Sequence, residues 1–354
     1  MLESRTSSPS TKAISFQALF STYLPALIFA LGAGIVLPVV PTLAKSFAVS
    51  FGVASGVITA FLIGNLAGSL PAGWLIDRFG RRWVMIAGPL LTSASAFLTV
   101  FADTFVHLIV LRFISGIAAQ MWLMGRLAAI SHSSSPEQRG RQVSWMFGMD
   151  NTGKLAGPVL GGVIVSAWGV HTPFIAYAAL ALIALIPMFL NRETDVEPVR
   201  PKKSQGKRTM TIREIVRPRL VYFAVALFAG LTRGPLQADL LHLYAAFEYH
   251  LGPAQIGLLA TGAATITLPI GFIAGWMMDH FGRKGTMVPG FAGVTIAMLA
   301  LAASAYFKFQ LTTYVVLFFA GIATQALTGG SIQTVGADVA PPEARGTFLG
   351  LWRF

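Results

Sequence analysis

Six ionisable side chains lie inside otherwise apolar stretches of this chain: Arg112, Arg126, Asp150 and Lys154 in the first half, Arg233 and Asp239 in the second. A charge in hydrocarbon is costly, so such groups face a cavity or a partner. Asp150 and Lys154 are four residues apart and share a helical face. The fourth and fifth apolar stretches run in opposite directions, which brings Arg126 within reach of Asp150 and sets Lys154 and Arg112 at comparable depth nearer the other end. Two readings follow. Either Asp150 exchanges a proton while its cationic neighbours tune it, or the charges form a static network that neutralises itself. Arg233 precedes Gly234-Pro235, and Asp239 lies six residues beyond it, on a different helical face unless the Gly-Pro break reorients the helix.

Internal symmetry bears on the choice. Phe113-Ile-Ser-Gly-Ile-Ala-Ala-Gln120 aligns with Phe318-Phe-Ala-Gly-Ile-Ala-Thr-Gln325, so that Arg112 corresponds to Leu317 and Arg126 to Ser331. A charge needed for packing common to both copies would appear in both. These appear in one, which favours a site-specific role. Gln120 and Gln325 appear in both, as uncharged polar groups near mid-membrane suited to substrate contact.

The elements that must position these groups are membrane helices. Of 354 residues, 55% are hydrophobic and 11% charged, and runs of about 20 apolar residues, enough to cross ~30 Å of hydrocarbon, recur throughout. The pattern predicts spans over about Ile14–Val40, Phe51–Ile76, Trp83–Phe101, Phe105–Ile130, Val143–Trp168, Pro173–Leu190, Leu220–Tyr244, Ile256–Met278, Met287–Phe307 and Thr312–Val335. Gly32, Gly34, Pro38 and Pro41 should bend the far half of the first. The polar run His132 to Arg141 reads as a loop. Residues 1–13 read as a disordered tail, 14–190 as a six-helix bundle, 191–219 as a basic linker near anionic headgroups, and 220–354 as a second helical bundle.

Cysteine is absent, and the six histidines show no metal-ligand spacing, so no metal site, cofactor or thiol chemistry is expected. The net charge of +12 could signal nucleic acid, but its placement argues for a membrane. Only Lys45 and Lys308 fall on the face predicted to be external, the positive-inside bias.

Between the second and third spans lies Gly73-Trp74-Leu75-Ile76-Asp77-Arg78-Phe79-Gly80-Arg81-Arg82, and the pattern returns at Gly275-Trp276-Met277-Met278-Asp279-His280-Phe281-Gly282-Arg283-Lys284. Gly73 and Gly80 let backbones approach and turn, and Asp77 can face a neighbouring helix N-terminus. Arg78, Arg81 and Arg82 suit cytoplasmic headgroups. In the fifth span Gly153, Gly157 and Gly161 form one small-residue stripe for close helix contact, bent by Pro158 and followed by Gly162.

Gly-x-x-x-Asp-Arg-x-Gly-Arg-Arg, with its weaker copy (Gly275, Asp279, Gly282, Arg283, Lys284), Arg112-x-x-x-Gly116 and two Pro-Glu-x-Arg-Gly loops at Pro136 and Pro342, resembles the major facilitator superfamily. Gly153-x-x-x-Gly157-Pro158-x-x-Gly161-Gly162 is similar to the motif of its drug:proton antiporters. The resemblance implies an all-α membrane protein with the major facilitator fold: two pseudo-symmetric six-helix bundles working by alternating access. It implies that the duplicated turn gates the change of state, and that the glycine motif seals against ion leak where packing alone is the alternative. An eleventh span beginning near Thr347 is too short to cross before Phe354, so ten complete spans are expected from a twelve-span plan.

The expected function is secondary transport of a small organic molecule, proton-coupled efflux foremost, in a monomer of a bacterial inner membrane with cytoplasmic termini. The first span carries no acidic residue, so an importer or facilitator for a sugar or organic anion stays open, with Arg112 and Arg233 as anion ligands. A transport-inactive scaffold or sensor is the rival of another class. No nucleophile–base pair points to an enzyme.

Overall fold

A computed structural model describes residues 23–133, 136–190, 214, 216–237, 239–341 and 348. The expected tail, nearly all of the linker and all of the eleventh span's start but Phe348 lie outside the described residues. The helices are α1 (Leu24–Val36), α2 (Val39–Ser46), α3 (Phe51–Ala54), α4 (Gly56–Phe79), α5 (Arg81–Thr99), α6 (Phe105–Ser133), α7 (Pro136–Trp168), α8 (Thr172–Ile183), α9 (Ile186–Leu190), α10 (Leu220–Gln237), α11 (Leu240–Glu248), α12 (Pro253–Tyr306) and α13 (Leu311–Val339).

Three of the four divided spans break at a residue that explains the division. The first parts into α1 and α2 at Leu37–Pro38, and it continues past Val40 to Ser46. Pro187 lacks an N–H and its ring crowds the Ile183 carbonyl, so α8 ends there and α9 starts anew. The seventh span breaks at Asp239, in the left-handed region at φ 59°, and not at Gly234-Pro235, which stay within α10. The run His132 to Arg141 is helical up to Ser133 and again from Pro136. Proline at a first helical position gives up no bond, and Glu137 suits the first turn, so α7 starts earlier than the expected Val143.

The duplicated turn is a one-residue device. Gly80 separates α4 from α5 at φ 84°, ψ 160°, and Gly282 interrupts α12 at φ 72°, ψ 179°. This backbone region is essentially restricted to glycine. The 54-residue α12 would be about 80 Å long as a straight rod. It therefore supplies two passes, folded back at Gly282. Among the described residues, six helical stretches are long and apolar enough to cross a membrane: Leu24–Ser46, Phe51–Phe79, Phe105–Ile130, Thr172–Phe189, Pro253–Tyr306 and Leu311–Thr328. Helices α5 and α7 run beside them without standing out in hydropathy, because α5 opens on Arg81-Arg82 and α7 carries Asp150 and Lys154.

Before the linker, α1 packs on α7 and α8, α6 on α4 and α5, and α5 on α8; after it, α12 packs chiefly on α13. The two sets meet through α7 against α12, and through α2 and α3 against α11. These contacts gather away from the duplicated turn. A Cβ on Gly162 would lie 2.8 Å from the Ala254 Cα, and Thr261 donates to the Leu155 carbonyl at 3.0 Å. Lys45 Nζ reaches the Ala246 carbonyl at 3.4 Å and His250 Nδ1 at 2.8 Å. Phe51 packs on Tyr244 and Phe247, with ring centroids 5.8 and 6.0 Å apart.

Candidate functional site: an ion pair between two helices beside a glycine seam

The seam fixes how α7 is turned. Cβ atoms on Gly153 and Gly157 would stand 2.6 Å from the Leu31 nitrogen and the Gly34 Cα, so α7 and α1 meet backbone to backbone; Gly161 continues the contact against Ile35. Such intimacy stabilises helix pairs in lipid, where no hydrophobic force drives association. Around the same helix Leu155, Pro158 and Gly162 meet α12. With two faces committed, the sector carrying Asp150 is fixed as well.

Arg126 of α6 grips Asp150 of α7 through Nη1–Oδ1 and Nη2–Oδ2 bonds, each 2.9 Å. Arg126 is 3% exposed and the Asp150 side chain 14%. The guanidinium also lies 4.9 Å from the Trp122 ring, and its Nε is buried with no hydrogen-bond partner among the described residues. Parallel paired bonds of this kind are the strongest form of the interaction. In the second copy the Arg126 position is Ser331, wholly buried and bonded to the Leu327 carbonyl at 3.3 Å. The pair therefore belongs to one half.

The remaining charges do not join it. Lys154 is exposed and makes no ion pair among the described residues. It lies on α7 between the sector against α1 and the sector against α12, and so projects into the gap between those helices. The expectation of an Asp150–Lys154 network is corrected accordingly. Arg112 sits 5.0 Å above the Phe61 ring, with a buried Nε that has no partner among the described residues, within electrostatic reach of Tyr177 and Asp239. Asp239 Oδ1 is 3.6 Å from His242 Nδ1. His242 is buried against Phe318, its centroid 5.3 Å away. Arg233 belongs to α10, but its side chain lies outside the described residues.

Gln120 is half-buried beside Gly68 of α4, and Gln325 of α13 is buried. Asp77 and Asp279 are both exposed at the duplicated turns. A Cβ on Gly73 or Gly275 would meet nothing within 4 Å, so the close approach expected of Gly73 is not made among the described residues. Arg283 forms an ion pair with Asp338 at 3.0 Å. Sequence reasoning missed Asp338, Tyr177 and His242; only His242 left a signal, its three-residue spacing from Asp239.

The Major Facilitator Superfamily profile matches residues 22–354. The chain belongs to this superfamily. It is therefore a multi-pass membrane transporter and not an enzyme. The tetracycline resistance protein, class B, of Escherichia coli is 27% identical over 323 residues, 87% of this chain and 78% of that protein. Multidrug resistance protein 1 of Bacillus subtilis is 27% identical over 239 residues, 67% of this chain and 60% of that protein. Among solved structures, a D-xylose-proton symporter superposes with a TM-score of 0.76 at 18% identity, covering 96% of this chain and 87% of that one. A bacterial homologue of the human lysosomal transporter Spinster, in an inward-facing unoccupied conformation, gives 0.74 over 96% and 79% of the two chains. The fold expected from the sequence is thus the major facilitator fold, and the glycine seam is the part of it that orients α7 and with it Asp150.

Proposed function

We propose that this major facilitator transporter exports small organic molecules in exchange for protons, with Asp150 as the proton-exchanging group. The observation that carries the reading is the twofold-bonded Arg126–Asp150 pair, present in one half and set on the helix that also packs against α12 of the other half. Taking a proton at Asp150 requires Arg126 to release it, so protonation and the packing of α6 on α7 are linked. The face bearing Gly80 and Gly282 is cytoplasmic in this reading, from the charge bias of the loops. Closure by α7–α12 and α2–α11 on the opposite face then makes this the inward-open state of a bacterial inner-membrane protein. The names of the tetracycline and multidrug resistance relatives support an organic, drug-like cargo.

The test is flux in proteoliposomes under an imposed pH gradient, with a panel of dyes, drugs and organic anions. Gradient-driven flux lost in Asp150→Asn supports the exchange; flux indifferent to pH in the unaltered chain overturns it.

A second reading rests on Arg112 and Lys154. Among the described residues neither has a carboxylate bonded to it; Arg112 has a buried Nε, and Lys154 projects into the gap between α1 and α12. That surplus of positive charge favours an organic anion as cargo. In the same panel, transport confined to carboxylates and lost in Lys154→Gln would favour it.

A further inference from the structure

The face opposite the duplicated turns is held shut in part by two titratable side chains from different halves. Lys45, in the last turn of α2, brings its Nζ to 2.8 Å from His250 Nδ1 and donates to the Ala246 carbonyl at 3.4 Å. The same ammonium lies 6.0 Å from the centroid of the Phe247 ring. Helix α11 ends at Glu248, so its last carbonyls have no donor of their own helix, and Lys45 supplies one from across the mouth.

Two unusual placements meet in this contact. Lys45 is one of two basic residues on the face that the charge bias leaves otherwise free of them. His250 follows the C-cap of α11 in the left-handed region, at φ 54°, where glycine or asparagine is the ordinary choice. Both side chains are exposed, so core packing accounts for neither.

The chemistry of the contact depends on one proton. An ammonium can only donate, so His250 Nδ1 must accept, and the ring is neutral with its hydrogen on Nε2. A proton added at Nδ1 removes the acceptor and sets two cations side by side. Three other polar groups stand near: Glu248 on the same segment, Tyr249, whose hydroxyl donates to the Phe309 carbonyl at 3.1 Å, and Lys308 beside that carbonyl. Among the described residues neither Glu248 nor Lys308 forms an ion pair, and Lys45 is the charged group bonded to the His250 ring.

We propose that Lys45 and His250 form a proton-released latch on the external mouth. While His250 is neutral the latch ties α2 to the end of α11; protonation of His250 undoes it and favours opening on that side. Histidine changes charge between about pH 5 and 8, so acid outside is the signal. The latch goes beyond proton exchange at Asp150, because a different group on the outer surface takes the proton. It shares with that reading the assignment of this face as external.

The experiment reads opening through Leu243→Cys in the otherwise cysteine-free full chain. Leu243 of α11 is wholly buried and belongs to one apolar cluster with Val39 and Leu43 of α2, so a water-soluble methanethiosulfonate reaches position 243 only when the mouth opens. Its labelling rate is measured in nanodiscs at pH 8 and pH 5.5 and divided by the rate of the same cysteine in a His250→Asn chain. Asparagine keeps the left-handed turn and an acceptor oxygen but does not titrate, so the ratio cancels the pH dependence of the thiol. The ratio should be near one at pH 8 and about five at pH 5.5, the effect of one like-charge contact in water. Lys45→Gln should abolish the rise, and Asp150→Asn should leave it.

A ratio near one at both pH values, or a rise undiminished by Lys45→Gln, overturns the latch. So does a rise lost in Asp150→Asn, which assigns the response to that carboxylate and leaves the exchange reading standing. Conversely, a rise in a chain whose flux ignores pH sinks the exchange reading and keeps the latch. Should Leu243→Cys fail to fold, Ala246→Cys, 1% exposed on the same helix, reports in its place with the same outcomes.

Discussion

Arg126 and Asp150 hold each other by two parallel 2.9 Å bonds across the boundary between α6 and α7. Removing one partner strands the other in a buried place, whereas removing both leaves an apolar gap. We expect Arg126→Leu or Asp150→Leu alone to destabilise the fold by about 3–5 kcal/mol and the double substitution to cost clearly less than their sum. Chemical denaturation in detergent of the two single variants and the double variant measures the coupling; strict additivity would mean the pair does not act as a unit.

The two turn glycines should be far less replaceable than the glycines that precede them. Gly80→Ala and Gly282→Ala place a Cβ in a backbone region that L-residues avoid, at a cost of about 1–3 kcal/mol each. Gly73→Ala and Gly275→Ala add a methyl where nothing stands within 4 Å, and helix propensity favours alanine by up to ~1 kcal/mol. Thermal unfolding midpoints of the four variants should fall for the first two and hold or rise for the others.

At the seam, Gly157→Val should be severe, because a Cβ there would come within 2.6 Å of the Gly34 Cα, a backbone atom with no side chain to give way. Gly148→Ala, nine residues earlier on the same helix, meets nothing within 4 Å and should be silent. Expression and monodispersity in detergent distinguish the two, and equal behaviour would argue that α1 and α7 are not held backbone to backbone.

The absence of cysteine makes a labelling map direct. Lys154→Cys should react with a water-soluble thiol reagent and Met146→Cys, fully buried in the protein, should not. Gly162→Cys with Ala254→Cys should cross-link, since a Cβ on Gly162 reaches the Ala254 backbone. Holding that face shut should stop transport in flux assays, with recovery on reduction.

Much of this arrangement was legible in the sequence, and the divide between what was and was not is physical. The Gly80 and Gly282 turns, the glycine stripe and the Arg126–Asp150 pair depend on helical periodicity and on the direction of neighbouring helices, both of which a pattern records. The exclusion of Lys154 from the pair depends on how α7 is rotated by its contacts with α1 and α12 together. The environment of Arg112 joins α4, α6, α8 and the Asp239 break, and the partner of Arg283 lies 55 residues away. Such meetings are set by tertiary packing among helices whose individual patterns look alike. The early start of α7 was hidden for a different reason: polar residues next to a proline read as a loop, yet they also suit a helix's first turn.

One residue, Gly282, divides α12, and this bears on how the chain enters a membrane during synthesis. The tip it forms offers only the short stretch from Asp279 to Lys284 as a polar stop between two apolar segments. A hairpin so abrupt is suited to insertion as a single unit, both arms together, because neither arm ends in a loop long enough to wait on one side while the other crosses. A charge removed from that tip would then alter the topology of two spans at once.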